Sequence, residues 1–426
     1  MPDQTRTPSP AVTAPAPRDS PARHTPVWVI RLVVVGIVLA ALNLRPAITS
    51  LGALLEEART GLHMSGSVAG LLTSVPPLCF AVFGIAAPRL ARRFGPAAVV
   101  CAGMAAIATG LVIRPLAGGT ASFLAASALA LMGIALSNVL MPVIVKRYFP
   151  DRVGSMTGLY SMALALGTSV AAAATVPITG ALGGSWRAGL AVWAVLAVVA
   201  VLPWLGLLRD RQPADRAAPT PADSDPDAAP TRITRSPTAW ALACFFGLQA
   251  TGAYITMGWM PQIFRDAGVS PGTAGVLLAV TMVMGVPLAF VIPRLASRLK
   301  QQGPIAAGLG LCGLTGYLGL QLAPAAGAWA WAVLLGISNC SFPLALTMIG
   351  MRSRTGAGVV RLSAFVQSTG YLISIPGPLL VGVLYQHSGG WGLPLGLMAA
   401  LLVPQIVVGL LAGRDRTIED ETGMRH

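Results

Sequence analysis

Residues 31–55 read RLVVVGIVLAALNLRPAITSLGALL. The stretch Leu32–Leu44 supplies thirteen apolar-dominated residues, whereas a bilayer span needs about 20. The helix that begins here therefore cannot end before Arg45. At 1.5 Å rise per residue, Arg45 lies roughly 21 Å beyond Arg31, well inside a hydrocarbon core of about 30 Å. On insertion scales an arginine at that depth costs about 2.5–3.5 kcal/mol, and such residues face a polar pathway or a partner. One stretch thus implies a membrane-crossing helix and a charge that needs a functional reason.

The rest of the chain agrees with the first implication. Of 426 residues, 54% are hydrophobic and 10% charged, far below the roughly 25% charged residues of a soluble domain. In lipid each span must satisfy its own backbone, which leaves helices or closed barrels. Continuous apolar runs of about 20 residues select helices. Twelve such runs are read, over 28–50, 65–87, 96–114, 119–145, 153–181, 187–208, 238–262, 271–293, 303–322, 327–350, 358–385 and 391–412. The class is an all-α membrane protein.

The net charge of +14 does not point to nucleic acid, because the basic residues are sorted by topology. With the N-terminus inside, the tails, the central linker and alternate loops hold all Lys and Arg except Arg45 and four in the opposite loops: Arg59, Arg114, Arg187 and Arg265. This places both termini in the cytoplasm of a multi-pass cell-membrane protein. Cys79, Cys101, Cys244, Cys312 and Cys340 all fall in apolar runs without a Cys-x-x-Cys pair, which reads as packing and not as disulfides or a metal site. No Gly-x-x-x-x-Gly-Lys-Ser/Thr segment occurs, so no ATP motor is encoded. No cofactor is called for.

Pro, Thr, Ala and Ser dominate residues 1–27, which reads as a disordered cytoplasmic N-terminus. Residues 209–236 form a cytoplasmic linker by composition and split the spans six and six. The bundles are 28–208 and 237–412, followed by a cytoplasmic tail at 413–426. The halves repeat. Pro88-Arg89-Leu90-Ala91-Arg92-Arg93 recurs as Pro293-Arg294-Leu295-Ala296-Ser297-Arg298, and Gly70-Leu71-Leu72 as Gly275-Val276-Leu277. Trp186 after Gly183-Gly184-Ser185 recurs as Trp391 after Gly389-Gly390, and Asn138 with Pro142 as Asn339 with Pro343. A shared order at nearly constant offset marks duplicated six-helix bundles, which place a substrate site near the midplane where they meet.

These features resemble the major facilitator superfamily, and more narrowly its cyanate and 2-nitroimidazole transporter family. The resemblance is carried by Leu42-Asn43-Leu44-Arg45-Pro46-Ala47-Ile48-Thr49, by Ala87-Pro88-Arg89-Leu90-Ala91-Arg92-Arg93-Phe94-Gly95, by Gly133–Pro142, and by Lys146-Arg147-Tyr148-Phe149-Pro150. It covers about 28 to 412. It implies a major facilitator fold with alternating access and a cyanate-like or nitroimidazole-like substrate. The superfamily's usual Gly and Asp after the second helix are replaced by Pro88 and Arg92, and in the second copy by Pro293 and Ser297. Gating through that aspartate therefore does not transfer.

Arg45 reads as an anion-binding residue, since a guanidinium presents a fork of donors and stays charged. The alternative is an arginine snorkelling to the outer interface. Pro46 frees the carbonyl of Leu42, which suits a locally opened helix. Thr49 shares the face of Arg45 and Asn43 points elsewhere, and either can line the pathway or simply pack. Asn138 and Asn339 each precede a proline by four and flank the centre, as ligands or as interhelical glue. Tyr160, Gln249, Tyr254, Gln367 and Tyr371 are further candidates for the substrate site, each against a packing alternative. All fifteen Asp and Glu lie in tails, loops or span edges, so no carboxylate is expected in the spans to carry protons. The reading is a monomeric transporter of a small, anionic or polar molecule. A multidrug or metabolite efflux carrier of the same fold is the alternative, and an enzyme is not expected.

Overall fold

The computed structural model describes residues 26–209 and 233–421. Most of the N-terminal segment and of the linker named above lie outside the described residues. Among the described residues, twelve helices are long and apolar enough to cross a membrane. They are α1 (Val27–Ala53), α2 (Gly66–Phe94), α3 (Pro96–Leu116), α4 (Thr120–Tyr148), α5 (Ser155–Ala181), α6 (Trp186–Leu208), α7 (Pro237–Asp266), α8 (Pro271–Arg298), α9 (Gly303–Leu322), α10 (Ala328–Met351), α11 (Gly358–Ser388) and α12 (Gly392–Ala412). Several run past the apolar stretches, because polar ends such as Arg89–Phe94 stay helical beyond the hydrophobic length.

The two halves pair their helices alike. In the first, α3 packs on α4 and α6, α1 on α5 and α6, and α2 on α4. In the second, α9 packs on α10 and α12, α7 on α11 and α12, and α8 on α10. The duplicated sequence thus gives two pseudo-symmetric six-helix bundles. They meet along α2 and α11, α5 and α8, and α1 and α7.

Four helices break: α1 after Asn43, α8 after Val283, α10 after Asn339 and α11 after Ser374. Each last residue lies three or four before a proline: Pro46, Pro287, Pro343 and Pro378. A proline lacks the N–H that the carbonyl four residues earlier would accept, and its ring crowds that carbonyl. The rule does not act everywhere. α4 stays helical through Asn138 and Pro142, so of the matched Asn/Pro pairs only the one in α10 opens its helix.

The halves are closed on the side opposite the chain termini. There α2 crosses α11 closely: a Cβ on Gly70 would stand 2.9 Å from the Leu379 carbonyl oxygen, so only glycine permits the contact. Ser67 donates to Gln386 from Oγ at 2.8 Å and from its amide at 2.9 Å. Trp259 donates to Thr73 at 3.2 Å, and Arg265 pairs with Glu57 at 2.9 Å. Beside that pair, Arg59 donates to both carboxylate oxygens of Glu56, at 2.9 and 2.6 Å, and holds its carboxyl below the usual range. On the terminal side α5 and α8 part. Thr157, Ser161 and Ala165 face Gly285, Ala289 and Phe290 across a cavity of about 250 Å³.

The described part of the C-terminal tail is docked. Ile418 is buried, and its amide donates to the Arg352 carbonyl at 2.9 Å. Glu419 accepts from Ser353 at 2.6 Å, and Glu421 accepts from the Thr238 hydroxyl at 2.6 Å. Arg352 itself is buried, donating to the Ala412 carbonyl at 3.0 Å and to the Gln302 side chain.

Candidate functional site

Arg45 occupies the break in α1, at φ −127° and ψ −26°, between Asn43 and Pro46. Its conformation follows from its neighbours. Pro46 leaves the Leu42 carbonyl without its helical donor. α5 packs onto that carbonyl at Gly167, where any Cβ would collide with the oxygen. Thr49 donates to the Arg45 carbonyl at 3.3 Å, so its hydroxyl is used inside the kink. Asn43 is buried and turned away from the bundle centre, donating to the carbonyls of Leu39 at 2.9 Å and Leu196 at 3.1 Å. Both residues shape the break, and neither joins the Arg45 cluster.

The guanidinium lies between the halves. Its polar surroundings are the phenols of Tyr254 on α7, Tyr371 on α11 and Tyr160 on α5, with Tyr254 within hydrogen-bond reach. Its Cζ stands 6.0 Å from the centre of the Phe80 ring on α2. Phe80 stacks on Tyr371 with centroids 5.0 Å apart and planes 22° from parallel. Tyr254 lies 6.5 Å from Phe80, and Phe246 meets Tyr371 edge-on at 5.2 Å. Among the described residues no carboxylate pairs with Arg45, and its buried Nη1 has no hydrogen-bond partner.

Two amide pairs flank this cluster. Tyr160 donates its hydroxyl to Asn138 Oδ1 in the first half. In the second, Gln249 donates to Asn339 Oδ1 at 3.1 Å, and the buried Oε1 of Gln249 has no partner. Asn339 closes the first segment of α10 at its break. Gln367 donates to Ser363 at 2.7 Å, one turn toward the terminal side from Tyr371. Structure therefore brings Arg45, Tyr160, Tyr254 and Tyr371 together, with Asn138 attached through Tyr160. Gln249 and Asn339 make their own pair on the second half.

Three residues of consequence were not singled out from sequence. Phe80 places its ring 6.0 Å from the guanidinium, but one aromatic in an apolar run looks like packing. Phe246 was passed over for the same reason. Arg114, read as an outer-loop residue, is 2% exposed and donates to the Ala47 carbonyl at 2.9 Å, beneath the second segment of α1. Its only sequence signal was its place at the end of an apolar run.

A guanidinium with an unpartnered N–H, ringed by phenols and aromatic faces where two bundles meet, can bind a small anion and expose it to either side. Comparison with known proteins agrees with the fold. The model of the Major Facilitator Superfamily matches residues 33–353. The chain is 34% identical to the 2-nitroimidazole transporter of Escherichia coli (strain K12) over 91% of this chain and 96% of that protein. It is 30% identical to the cyanate transport protein CynX of the same strain, over 88% and 95%. Among solved structures, a bacterial homolog of the human lysosomal transporter Spinster, inward-facing and occupied, superposes with a TM-score of 0.72 at 17% identity, over 91% of this chain and 96% of that one. The chain belongs to the major facilitator superfamily of membrane transporters and, within it, to the family of the 2-nitroimidazole and cyanate transporters.

Proposed function

We propose that this transporter carries a small anion or small polar compound, cyanate-like or nitroimidazole-like, bound at Arg45 between the two bundles. The observation that carries the reading is the buried, unpartnered Nη1 of Arg45 in a cluster of three phenols with no carboxylate. A buried charge whose partners are a neutral phenol and an aromatic ring, with no counter-ion, is costly. The substrate's own charge then serves as the counter-ion.

Binding and movement follow from this one cost. Sealing Arg45 away from water without an anion strands its charge, so the bound state closes more readily than the empty one. Tyr254, Tyr371 and Tyr160 supply hydroxyls beside the anion, and Gln249 with Asn339 offers a second polar contact from the other half. Asn138 holds Tyr160 in place. The loops rich in Lys and Arg put the chain termini in the cytoplasm. The open gap between α5 and α8 then faces inward and the sealed side outward. One chain supplies both halves of the site, so a monomer suffices for transport.

The test is uptake of a labelled anion panel that includes cyanate into proteoliposomes. Arg45→Ala is expected to lower the rate by about 100-fold, as removal of one partner from a buried charged contact costs roughly 2–5 kcal/mol. Arg45→Lys keeps the charge without the fork and is expected to fall between. Uptake by Arg45→Ala at the wild-type rate overturns the reading.

A further inference from the structure

The cavity between α5 and α8 has two unlike edges. Thr157 and Ser161, one turn apart on α5, line one edge with hydroxyls. The other edge is apolar. Met162 lines the cavity at 46% exposed, and it heads a stripe of exposed side chains on α5 that continues through Leu166 and Val170 at steps of four. Phe290 lines it from α8 at 44% exposed, with Val283 and Val291 exposed near it along that helix. Apolar surface of this kind on a membrane helix meets lipid. The cavity of about 250 Å³ therefore opens sideways into the bilayer.

Its walls leave room for a chain. A Cβ built on Gly158 of α5 or on Gly285 of α8 meets no atom within 4 Å. Water suits the apolar edge poorly. At about 30 Å³ each, several waters would be needed, and each wants two to four polar partners. The side chains of Met162, Ala289 and Phe290 offer none, and an acyl chain asks for none. Toward the chain termini the two helix ends are basic. Arg152 precedes Thr157 by five residues, Arg294 follows Phe290 by four, and Arg298 and Lys300 lie beyond. At 1.5 Å per residue, Arg152 and Arg294 stand roughly 6–8 Å from the cavity lining along their helices. Both are exposed, and among the described residues neither is in an ion pair. Asp151, also exposed, is the acidic neighbour of Arg152.

We propose that this cavity is a lipid site. An anionic phospholipid of the leaflet on the terminal side lodges one acyl chain between α5 and α8 and sets its headgroup on Arg152 and Arg294. A basic residue beside anionic headgroups is worth about 5-fold in occupancy, so the headgroup charge is the selective part. α5 belongs to the first half and α8 to the second. A chain lodged between them holds the halves apart on the terminal side and must leave before that side closes. The lipid thus binds the arrangement described above and shifts the balance toward it. The site shares no side chain with the Arg45 cluster, so it stands or falls apart from the Arg45 reading.

The full-length protein is reconstituted into phosphatidylcholine liposomes with a trace of phosphatidylglycerol that carries a diazirine on one acyl chain, or of the matching phosphatidylcholine. After illumination and digestion, mass spectrometry counts label on residues 157–165 and 285–290, relative to label around the exposed Leu318 of α9. Wild type is expected to take up phosphatidylglycerol label at the cavity at least about 5-fold more than phosphatidylcholine label. Arg152→Gln with Arg294→Gln is expected to bring that ratio within about 2-fold of 1. Gly158→Leu puts a side chain into the open space and is expected to lower phosphatidylglycerol label at the cavity at least about 5-fold, with label at Leu318 within about 2-fold of wild type. Where Gly158→Leu does not fold, Ala289→Leu makes the same comparison. Equal labelling of wild type by the two lipids overturns the proposal. So does a preference that survives loss of both arginines, or cavity label that survives the filling substitution.

Discussion

Arg45 and Gln249 stand 204 residues apart at corresponding places in the two halves, and each leaves one buried polar atom unpartnered. Their neighbours differ. Asn339 accepts from Gln249, whereas its counterpart Asn138 accepts from Tyr160. Tyr160→Phe removes that donor from Asn138 and is expected to cost about 1 kcal/mol. It will show as a lower thermal midpoint of the purified protein, and a midpoint equal to wild type contradicts the assigned hydrogen bond. Arg45 was legible in the sequence because a charge in an apolar run has no cheap packing role. Phe80 and Phe246 were not, because an aromatic ring in lipid or in a core needs no special reason. Arg114 was hidden for a third reason: only tertiary packing slides its side chain under α1.

At the scale of the helix, the opened segment of α1 depends on a fit between two helices. The carbonyl that Pro46 frees at Leu42 abuts Gly167 of α5. Gly167→Val forces these helices apart and is expected to cost about 1–3 kcal/mol, as overpacked cores do. Thermal unfolding and uptake are both expected to fall. A Gly167→Val protein with wild-type midpoint and uptake shows that the contact does not hold the break. The sequence reading reached the break in α1 from Pro46, since a missing N–H is a local fact. It could not separate Pro343, which opens α10 after Asn339, from Pro142, which leaves α4 continuous at Asn138. Whether a freed carbonyl opens its helix depends on what packs there, and that information lies in other helices.

Across the whole molecule, the side away from the termini is latched, and on the terminal side a cavity of about 250 Å³ separates α5 from α8. The latch combines the close crossing of α2 and α11 with Glu57–Arg265 and Ser67–Gln386. An ion pair this exposed contributes only about 0–1 kcal/mol, enough to move a two-state balance up to roughly 5-fold. Glu57→Arg is therefore expected to raise the labelling rate of a cysteine placed at Ser74, buried further along α2, by a few fold, and Glu57→Arg with Arg265→Glu to restore it. Failure of the double variant to restore protection argues against the pair as part of the latch. The twelve helices and the duplication were readable because hydropathy and repeats are properties of the chain itself. Which side is closed was not, since it depends on contacts between halves that share no local sequence signal. The docked segment Ile418–Glu421 escaped notice similarly, as an acidic stretch reads as solvated until its partners at Ser353 and Thr238 are known. The central claim is that the substrate supplies the missing charge at Arg45, and near-isosteres with and without that charge test it most directly. Benzoate and benzamide are compared by calorimetry on wild type and Arg45→Gln. The account predicts that wild type prefers benzoate by about 30-fold, near 2 kcal/mol, and that Arg45→Gln loses that preference. An equal preference for benzoate in both proteins contradicts it.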